Sequence, residues 1–489
     1  MMRLMAFTAV AATLLAGCML GPDYQRPTLP LPAQYRDAEP PAPGREAFSL
    51  ADLQWFELFR DDSLQALVHT ALQQNYDVRI AVARITEAQA QLGVTRSFLF
   101  PQLDVHGTAS HDRISEERFL AAPGRPNEGN TLLLGLSLFY ELDLWGRLRR
   151  ETEAARAELL STEWAQRAVL VTLVADVAQA YFELRQLDLD LEIAKRTFAS
   201  REKSLRLTRS RQEQGVATRL DIRQAENLLY TAAARIPDLE RLITQKENEI
   251  RLLLALPPGD IRRGLPLTEQ PFPPEVPAGL PAALLERRPD IRRAEEVLVA
   301  ANARIGAAKA LYFPRFSLTG FLGLESDDLK HFASASARTW TIGLDILQPI
   351  FNAGRIRSIN EAEAARLLQT LAQYEQAIQT AFREVSDALV GYRKSREQRV
   401  QQELLVAALV DSSALATTRF LGGLDSYLQV LDADRQLFDA ELELARIRAS
   451  ELLNLVQLYK ALGGGWTPEQ PTAAAPATTA SVMSPPSQR

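Results

Sequence analysis

Four short stretches of this chain alternate apolar and polar residues, although most of the remaining sequence has helical patterning. The clearest pair follows Phe-Pro dipeptides, in "FLFPQLDV" at Phe98 and "LYFPRFSL" at Leu311. Successive side chains of a β-strand point to opposite faces, so this alternation predicts strands with one apolar face. The predicted strands lie at residues 101–112, 131–143, 315–324 and 338–347. Strands must find pairing partners, and this need restricts the possible folds more than any other feature.

The strands come in pairs because the chain contains an internal repeat. "LWGRLRRETEAARAEL" at 144 matches "NAGRIRSINEAEAARL" at 352, and "QGVATRLDIRQAENLL" at 214 matches "GGLDSYLQVLDADRQLF" at 422. Each repeat predicts one helix, two strands, and then two long helices joined by a glycine turn. The predicted bounds are a first repeat at 61–259 (helices 62–96, 146–214 and 217–256), a linker at 260–281, and a second repeat at 282–466 (helices 282–311, 354–421 and 425–461).

The apolar faces of the predicted strands are long enough for a membrane. Alternating segments of about ten residues match a tilted membrane strand. A two-stranded soluble hairpin in each repeat is the alternative, since the polar faces suit either. The predicted apolar face carries Leu103, Val105, Ala109, Leu132, Leu134, Leu136, Leu138, Tyr140, Leu142, Leu144, Phe316, Leu318, Leu322, Leu324, Trp340, Ile342, Leu344 and Ile346.

The long helices are patterned as a coiled coil. No proline or glycine interrupts residues 147–214, which as one helix would span about 100 Å at 1.5 Å per residue. Apolar residues recur there at a three–four spacing that predicts a seam, with only Arg201 interrupting it. Pro237 predicts a kink or a break in the helix that returns. The seam residues are Ala180, Leu184, Leu187, Leu191, Ala194, Phe198 and Leu205.

The N-terminus, "MMRLMAFTAVAATLLAGCML", predicts a lipoprotein signal peptide over 1–17. Leu15-Ala16-Gly17-Cys18 matches a lipobox, so Cys18 is the predicted lipid attachment site; an ordinary signal peptide with an incidental cysteine is the alternative. Two or three acyl chains would give a stable anchor. Residues 18–60 are then an acylated N-terminus with a proline-rich tether, and residues 467–489 have the composition of a disordered tail.

The strands cannot close a barrel within one chain. No segment after the signal peptide has 18 uninterrupted apolar residues, so any membrane crossing must use strands. Open strand edges are not tolerated in lipid, and four strands are too few for a barrel. Two copies would give eight strands and three copies twelve. Because an eight-stranded barrel is filled by its own side chains, the polar face favours three copies around water.

Composition and motifs exclude several other functions. A net charge of −6, with Lys and Arg spread among acids, predicts no nucleic-acid binding. The four histidines are scattered without metal-ligand spacing, and no nucleophile elbow or phosphate-binding loop is present. The sequence therefore predicts that the protein is not an enzyme and needs no cofactor or metal.

Several motifs in order carry a resemblance to a known family. The lipobox is followed by "GPDYQRP", then "WFELFRDDSLQALVHTALQQNYD", the duplicated Phe-Pro strand entries and "YLQVLDADRQLF". This set resembles the TolC family of outer-membrane efflux proteins over about 50–466, and above all its lipoprotein branch serving resistance-nodulation-division (RND) pumps. The resemblance implies an α+β membrane fold: a homotrimer with a twelve-stranded outer-membrane β-barrel and a long periplasmic α-helical barrel.

The same resemblance implies a function. The protein would be a passive outer-membrane channel of a tripartite efflux system, conducting drugs or other small molecules. They would come from an inner-membrane RND-type transporter through a periplasmic adaptor (membrane fusion) protein. The alternatives are an outlet for type I protein secretion and a periplasmic coiled-coil lipoprotein scaffold without a pore. Met19 after the cysteine points to the outer membrane by the lipoprotein sorting rule.

The resemblance also places a gate at the far ends of the long helices. The predicted helix-tip turns contain Gly215, Gly422 and Gly423, and family members narrow the tunnel just beyond them. Asp432 falls where they carry an acidic ring, and Asp221 where they tie neighbouring helices. Leu428 lies one turn before Asp432 and would add an apolar ring. Ordinary exposed helix acids are the alternative, and Gln429 makes a second acidic ring doubtful.

Overall fold

The structure is a computed structural model that describes residues 19–30, 32, 35, 50, 53–113, 115, 128–271 and 283–464. The predicted signal peptide, Cys18, most of the tether and the C-terminal tail lie outside the described residues. Seven helices longer than four residues are described: α1 (Asp62–Gln74), α2 (Tyr76–Ser97), α3 (Arg147–Glu213), α4 (Arg219–Leu253), α5 (Pro289–Ala310), α6 (Arg355–Leu421) and α7 (Tyr427–Ala461). Single-turn helices lie at Trp55–Leu58 and Leu284–Arg287, and short 3₁₀ turns at Leu267–Glu269 and Ala335–Ala337.

The first helix of each repeat is divided, whereas the sequence predicts one helix. The side-chain oxygen of Asn75 accepts from the backbone N–H groups of Asp77 and Val78, so Asn75 ends α1 and caps α2. In the second repeat, Arg288 is extended and Pro289 begins α5, a position where its missing N–H costs nothing. Pro237 predicts a kink or a break in the returning helix. The structure shows no break, since α4 continues through Pro237.

The described strands form one antiparallel sheet in the order β1 (Gln102–Arg113), β2 (Glu128–Leu142), β3 (Arg315–Ser326), β4 (Arg338–Leu347). Strand β2 pairs with β3, so the sheet joins the two repeats. Strands β1 and β4 are its edges, and neither pairs with a further strand in the described part of the chain.

The register confirms the predicted apolar face. Leu103 lies opposite Leu138, and Leu136 lies opposite both Val105 and Leu322. Leu322 in turn lies opposite Trp340, so one apolar face extends over all four strands. Within the chain that face is uncovered, with Val105 and Ile342 each 73% exposed.

The helices pack into a core that both repeats share. Its largest cluster draws buried residues from α1, α3, α4, α5, α6 and α7 and from the segment 254–267. Near the strands, small residues let α3 and α5 approach closely, since Ala154 and Ala157 pack against Ala300 and Ala303. The long helices are therefore held together near the strands and along their middle parts.

One described helix, α6, is long and apolar enough by length and composition to cross a membrane. The apolar stretch that meets this test is not buried within the chain. Charged and polar residues interrupt α6, so its sequence contains no uninterrupted apolar run of 18 residues. Since α6 packs along α7 and α5 as part of the helical body, its exposed apolar surface needs another cover.

Candidate functional site

The junctions between strands and long helices are tight turns. Gly146 and Gly354 have φ of 73° and 84°, the left-handed region that favours glycine, and each directly precedes a long helix. In the first repeat the side chain of Asp143 accepts from the backbone N–H groups of Leu148 and Arg149. The carboxylate thereby satisfies donors at the start of α3 and fixes its direction from the sheet.

The segment after Cys18 is bound to this junction. The backbone N–H of Leu20 donates to Trp145, and Arg150, only 2% exposed, donates to the Leu20 carbonyl and to Asp23. A Cβ atom on Gly306 would lie 2.4 Å from the Leu20 carbonyl oxygen, so the segment lies directly against α5. The segment that follows the predicted lipid attachment site is therefore held where the strands end.

Aromatic side chains surround the same end of the sheet. Phe98 and Phe100 precede β1, Tyr312 and Phe313 precede β3, and Phe351 follows β4; all are exposed. Aromatic residues are enriched where membrane strands meet water. Their position at the strand ends is typical of strands that meet a membrane interface.

A buried carboxylate fixes the linker between the repeats. Asp61, 1% exposed, accepts five hydrogen bonds. The donors are the backbone N–H groups of Ser63, Leu64 and Leu265, the Tyr181 hydroxyl and the Gln270 side chain. Burial favours a higher pKa for Asp61, but these bonds outweigh it and lower the pKa. No sequence pattern singles out Asp61 for this role.

The two helix tips share one turn geometry. Gly215 and Gly423 have φ of 74° and 72°, and the next residue in each case donates its N–H to the carbonyl five residues earlier, Val216 to Arg211 and Leu424 to Arg419. This is the Schellman motif, in which glycine takes the left-handed position. Gly422 has φ of −77°, which any residue adopts, so the turn itself does not require that glycine.

Asp221 takes part in a capping box at the first tip. Its carboxylate accepts from the backbone N–H and hydroxyl of Thr218, at 2.7 and 2.8 Å, while its own N–H donates to that hydroxyl. This arrangement fixes the start of α4. Among the described residues, the side chain of Asp221 makes its hydrogen bonds to Thr218, at the start of its own helix.

Leu428 and Asp432 both lie exposed on α7, close to the second tip. Leu428 is 57% exposed. Asp432 accepts from Arg435 at 2.8 Å and from Gln436 at 2.6 Å. The bonds from Arg435 and Gln436 lower the pKa of Asp432, so the carboxylate is ionised at neutral pH. An apolar and an acidic side chain therefore lie one helical turn apart at the surface, where other chains could contact them.

A small core connects the two tips to each other. Leu205, Ala225 and Leu229 from the first repeat pack against Tyr427, Val430 and Leu431 from the second. One helical turn before Leu205, Arg201 is 4% exposed. It donates to the backbone carbonyls of Leu228, at 2.7 Å, and Asp434, at 3.4 Å.

The Arg201 guanidinium also lies 4.9 Å from the centre of the Phe438 ring. Burial lowers the pKa of Arg201. The residue that interrupts the predicted seam therefore ties α3, α4 and α7 together. The interruption itself was the signal that could have identified this role.

The polar face of the sheet carries the remaining candidate groups. His106 lies there in β1, with its Nε2 atom 3.0 Å from the Thr108 hydroxyl, and Asp345 accepts from Thr319. Among the residues that the structure describes, no three His, Cys, Asp or Glu side chains group as a metal site would require.

A family model and a relative of similar sequence both match this chain over most of its length. A family model described as "Outer membrane efflux protein" matches residues 67–256 and 280–464. The probable efflux pump outer membrane protein TtgC of Pseudomonas putida is 40% identical over 460 residues, which cover 94% of this chain and 95% of TtgC.

Solved structures with similar sequences have the same fold. A crystal structure of CusC matches with a TM-score of 0.82 and 34% identity, covering 92% of this chain and 100% of CusC. The open state of the MtrE outer membrane channel of Neisseria gonorrhoeae matches with a TM-score of 0.82 and 31% identity, covering 92% of this chain and 98% of MtrE.

Proposed function

The chain belongs to the outer membrane efflux protein family, and we propose that three copies of it form a passive exit duct gated at the periplasmic helix tips. It is an outer-membrane channel of an efflux system. The observation that carries the proposal is the four-stranded sheet: it has one continuous apolar face and two unpaired edges.

Closure of the sheet requires other copies. Backbone groups at the edges of β1 and β4 would lack hydrogen bonds in lipid, where each costs several kcal/mol, about 2–7 by transfer measurements. Pairing β4 of one copy with β1 of the next would satisfy them. Three copies would give a twelve-stranded barrel that is wide enough for water, with the polar face inside.

The exposed apolar surface of the long helices supports the same assembly. Helix α6 exposes a series of leucine and valine side chains along its length, a pattern typical of a helix that packs against a partner. Neighbouring copies around one axis would cover it. This accounts for its apolar stretch without a membrane crossing. The exposed residues are Leu368, Val400, Leu404, Leu405, Val410, Leu415 and Leu421.

We place the gate at Leu428 and Asp432. With three copies around one axis, three Asp432 carboxylates would repel one another and attract cations, and three Leu428 side chains would form an apolar constriction. Both residues sit on α7 next to an exposed turn, and the tip core that a change of helix position would disturb is small compared with the main core. Asp221 would hold the first tip in place through its capping box.

Recording currents from single channels in planar bilayers tests this gate. We expect a Leu428→Ala/Asp432→Ala variant to show a higher open fraction than the unchanged protein. Leu252→Ala/Glu249→Ala is the matched control, because it removes an exposed leucine and a nearby exposed acidic residue from α4, away from the second tip and from the exposed α6 surface. Equal open fractions in the gate variant and the control would refute the assignment.

The duct would work with two partners. A periplasmic adaptor would contact the helix tips, and an inner-membrane RND-type transporter would supply the energy and select the drugs or other small molecules that pass. Cys18 would carry the acyl anchor, and the attachment of residues 20–23 at the strand–helix junction would hold that anchor at the membrane surface. Mass spectrometry of the mature N-terminus would check the acylation.

A further inference from the structure

Two glycines lie side by side on the polar face of the sheet. Gly135 of β2 pairs with Gly323 of β3, between His106 on β1 and Thr339 on β4. They belong to the polar face because the residues on either side of Gly135, Leu134 and Leu136, belong to the apolar one. The row of side chains across the sheet is therefore empty at its two central positions. We call this space the Gly135–Gly323 recess.

The ring of Phe321 fills the recess. Its Cζ atom lies 2.5 Å from the position that a Cβ atom on Gly135 would take, and 2.8 Å from that of a Cβ atom on Gly323. Phe321 itself lies opposite Ser137 and Thr341, so the ring leans along the sheet toward the glycines. An aromatic ring laid over a strand glycine covers its bare backbone.

The two glycines also lie close to the backbone of the neighbouring strand, and a test must distinguish this contact from the contact with the ring. A Cβ atom on Gly135 would lie 2.7 Å from the carbonyl oxygen of Leu322, and one on Gly323 would lie 2.5 Å from that of Leu134. The glycines thus allow β2 and β3 to approach each other, and they leave room for the ring. Removing the ring from a variant that already carries a side chain at Gly135 tells these two roles apart.

We infer that the Gly135–Gly323 recess sets the open width of the channel lumen, because it holds the Phe321 ring flat against the wall. This inference rests on the proposed function, in which the polar face lines a water-filled barrel. Three copies would place three such rings at one level of the lumen. A side chain at either glycine would displace the ring toward the axis, and ion flow through a pore falls as its constriction narrows.

The test compares Gly135→Ala, Phe321→Ala and the double variant, all in the full chain. We expect Gly135→Ala to lower the fully open single-channel conductance roughly two-fold, and the double variant to restore it. An electron cryo-microscopy map of Gly135→Ala should show the ring raised from the wall. Currents are read in the Leu428→Ala/Asp432→Ala background, so that the tip does not limit them. If that background stays closed, the largest voltage-induced openings are compared instead.

Gly107→Ala is the matched control. Gly107 lies in the same sheet on the apolar face, and a Cβ atom there would meet Leu134 at an ordinary 3.4 Å. The inference is overturned if Gly135→Ala conducts like Gly107→Ala, if the ring stays in place, or if the double variant remains as impaired as Gly135→Ala. A protein without any conductance, glycines intact, would instead contradict the proposed function.

Discussion

The strand end and the tip end of the long helices are held by different kinds of contact. Toward the strands and in the middle of the helices, charged groups are buried: Arg150 is 2% exposed and Asp61 1%, and both are fully engaged with backbone and side chains. Beyond the buried Arg201, the tips carry their ion pairs at the surface, Asp425 with Arg419 and Asp432 with Arg435.

This difference indicates where the molecule can move. A buried charge that loses its partners costs several kcal/mol, about 3–5, so the strand end has one stable arrangement. Exposed pairs contribute about 0–1 kcal/mol and re-form easily with other partners. The proposed gate at the tips would therefore open without disturbing the strand end of the chain.

The largest expected effect comes from removing the buried carboxylate. We expect Asp61→Ala to lower the free energy of unfolding by about 2–4 kcal/mol, because five donors lose their acceptor. Asp62→Ala, one residue further along and exposed, should change it little. Thermal unfolding followed by circular dichroism measures both. Equal losses in the two variants would contradict the role of Asp61.

A second aspartate is buried without such donors. Asp190 is 9% exposed, and among the described residues its one hydrogen bond comes from Gln186 at 3.4 Å. Burial raises the pKa of Asp190 from 3.8 to about 6. Because the folded protein then holds the proton more tightly than the unfolded chain, this group makes stability fall as pH rises from 3.8 to about 6.

We therefore expect Asp190→Asn to stabilise the protein at pH 7 by about 1–3 kcal/mol, and to have little effect at pH 4. Melting temperatures across this pH range measure the change. Glu192→Gln, an exposed position on the same helix, is the control. A stabilisation that does not depend on pH would show that ionisation of Asp190 is not its cause.

The two tips can be compared directly through their capping residues. Thr218 caps α4 through its hydroxyl, whereas Ser426 precedes α7 without a side-chain capping bond. Thr218→Ala should destabilise the first tip by about 1 kcal/mol, and Ser426→Ala should have almost no effect. Hydrogen–deuterium exchange at the starts of α4 and α7 reports each tip separately. If Ser426→Ala raised exchange more than Thr218→Ala, the distinction between a fixed first tip and a movable second one would be wrong.

The smallest expected effect concerns the surface pair at the second tip. Arg419 donates to Asp425 at 2.6 and 3.2 Å, and this bond lowers the pKa of Asp425. Arg419→Ala should leave global stability unchanged and raise amide exchange only around residues 419–427, since exposed pairs contribute little. High salt should produce the same local change in the unaltered protein. A loss of global stability would show that this tip is held more firmly than its exposure suggests.

The sequence predicted features that depend on local periodicity. Alternation identified the apolar face of all four strands, and the long uninterrupted helices followed from the absence of proline and glycine. It missed the division at Asn75, because apolar spacing continues across a residue that can also cap the next helix. For the tip residues, the structure adds their exposure and partners, and the gate itself stays a prediction.

The sequence alone determined the strand faces, and it predicted the repeat and a shared barrel, because these follow from spacing along the chain and from the cost of unpaired strands in lipid. Only the tertiary structure decided the pairing of β2 with β3, the role of Asp61 and the ties made by Arg201. Each joins residues far apart in sequence, such as Asp61 and Leu265. Their meeting depends on how whole helices pack, which no local pattern records.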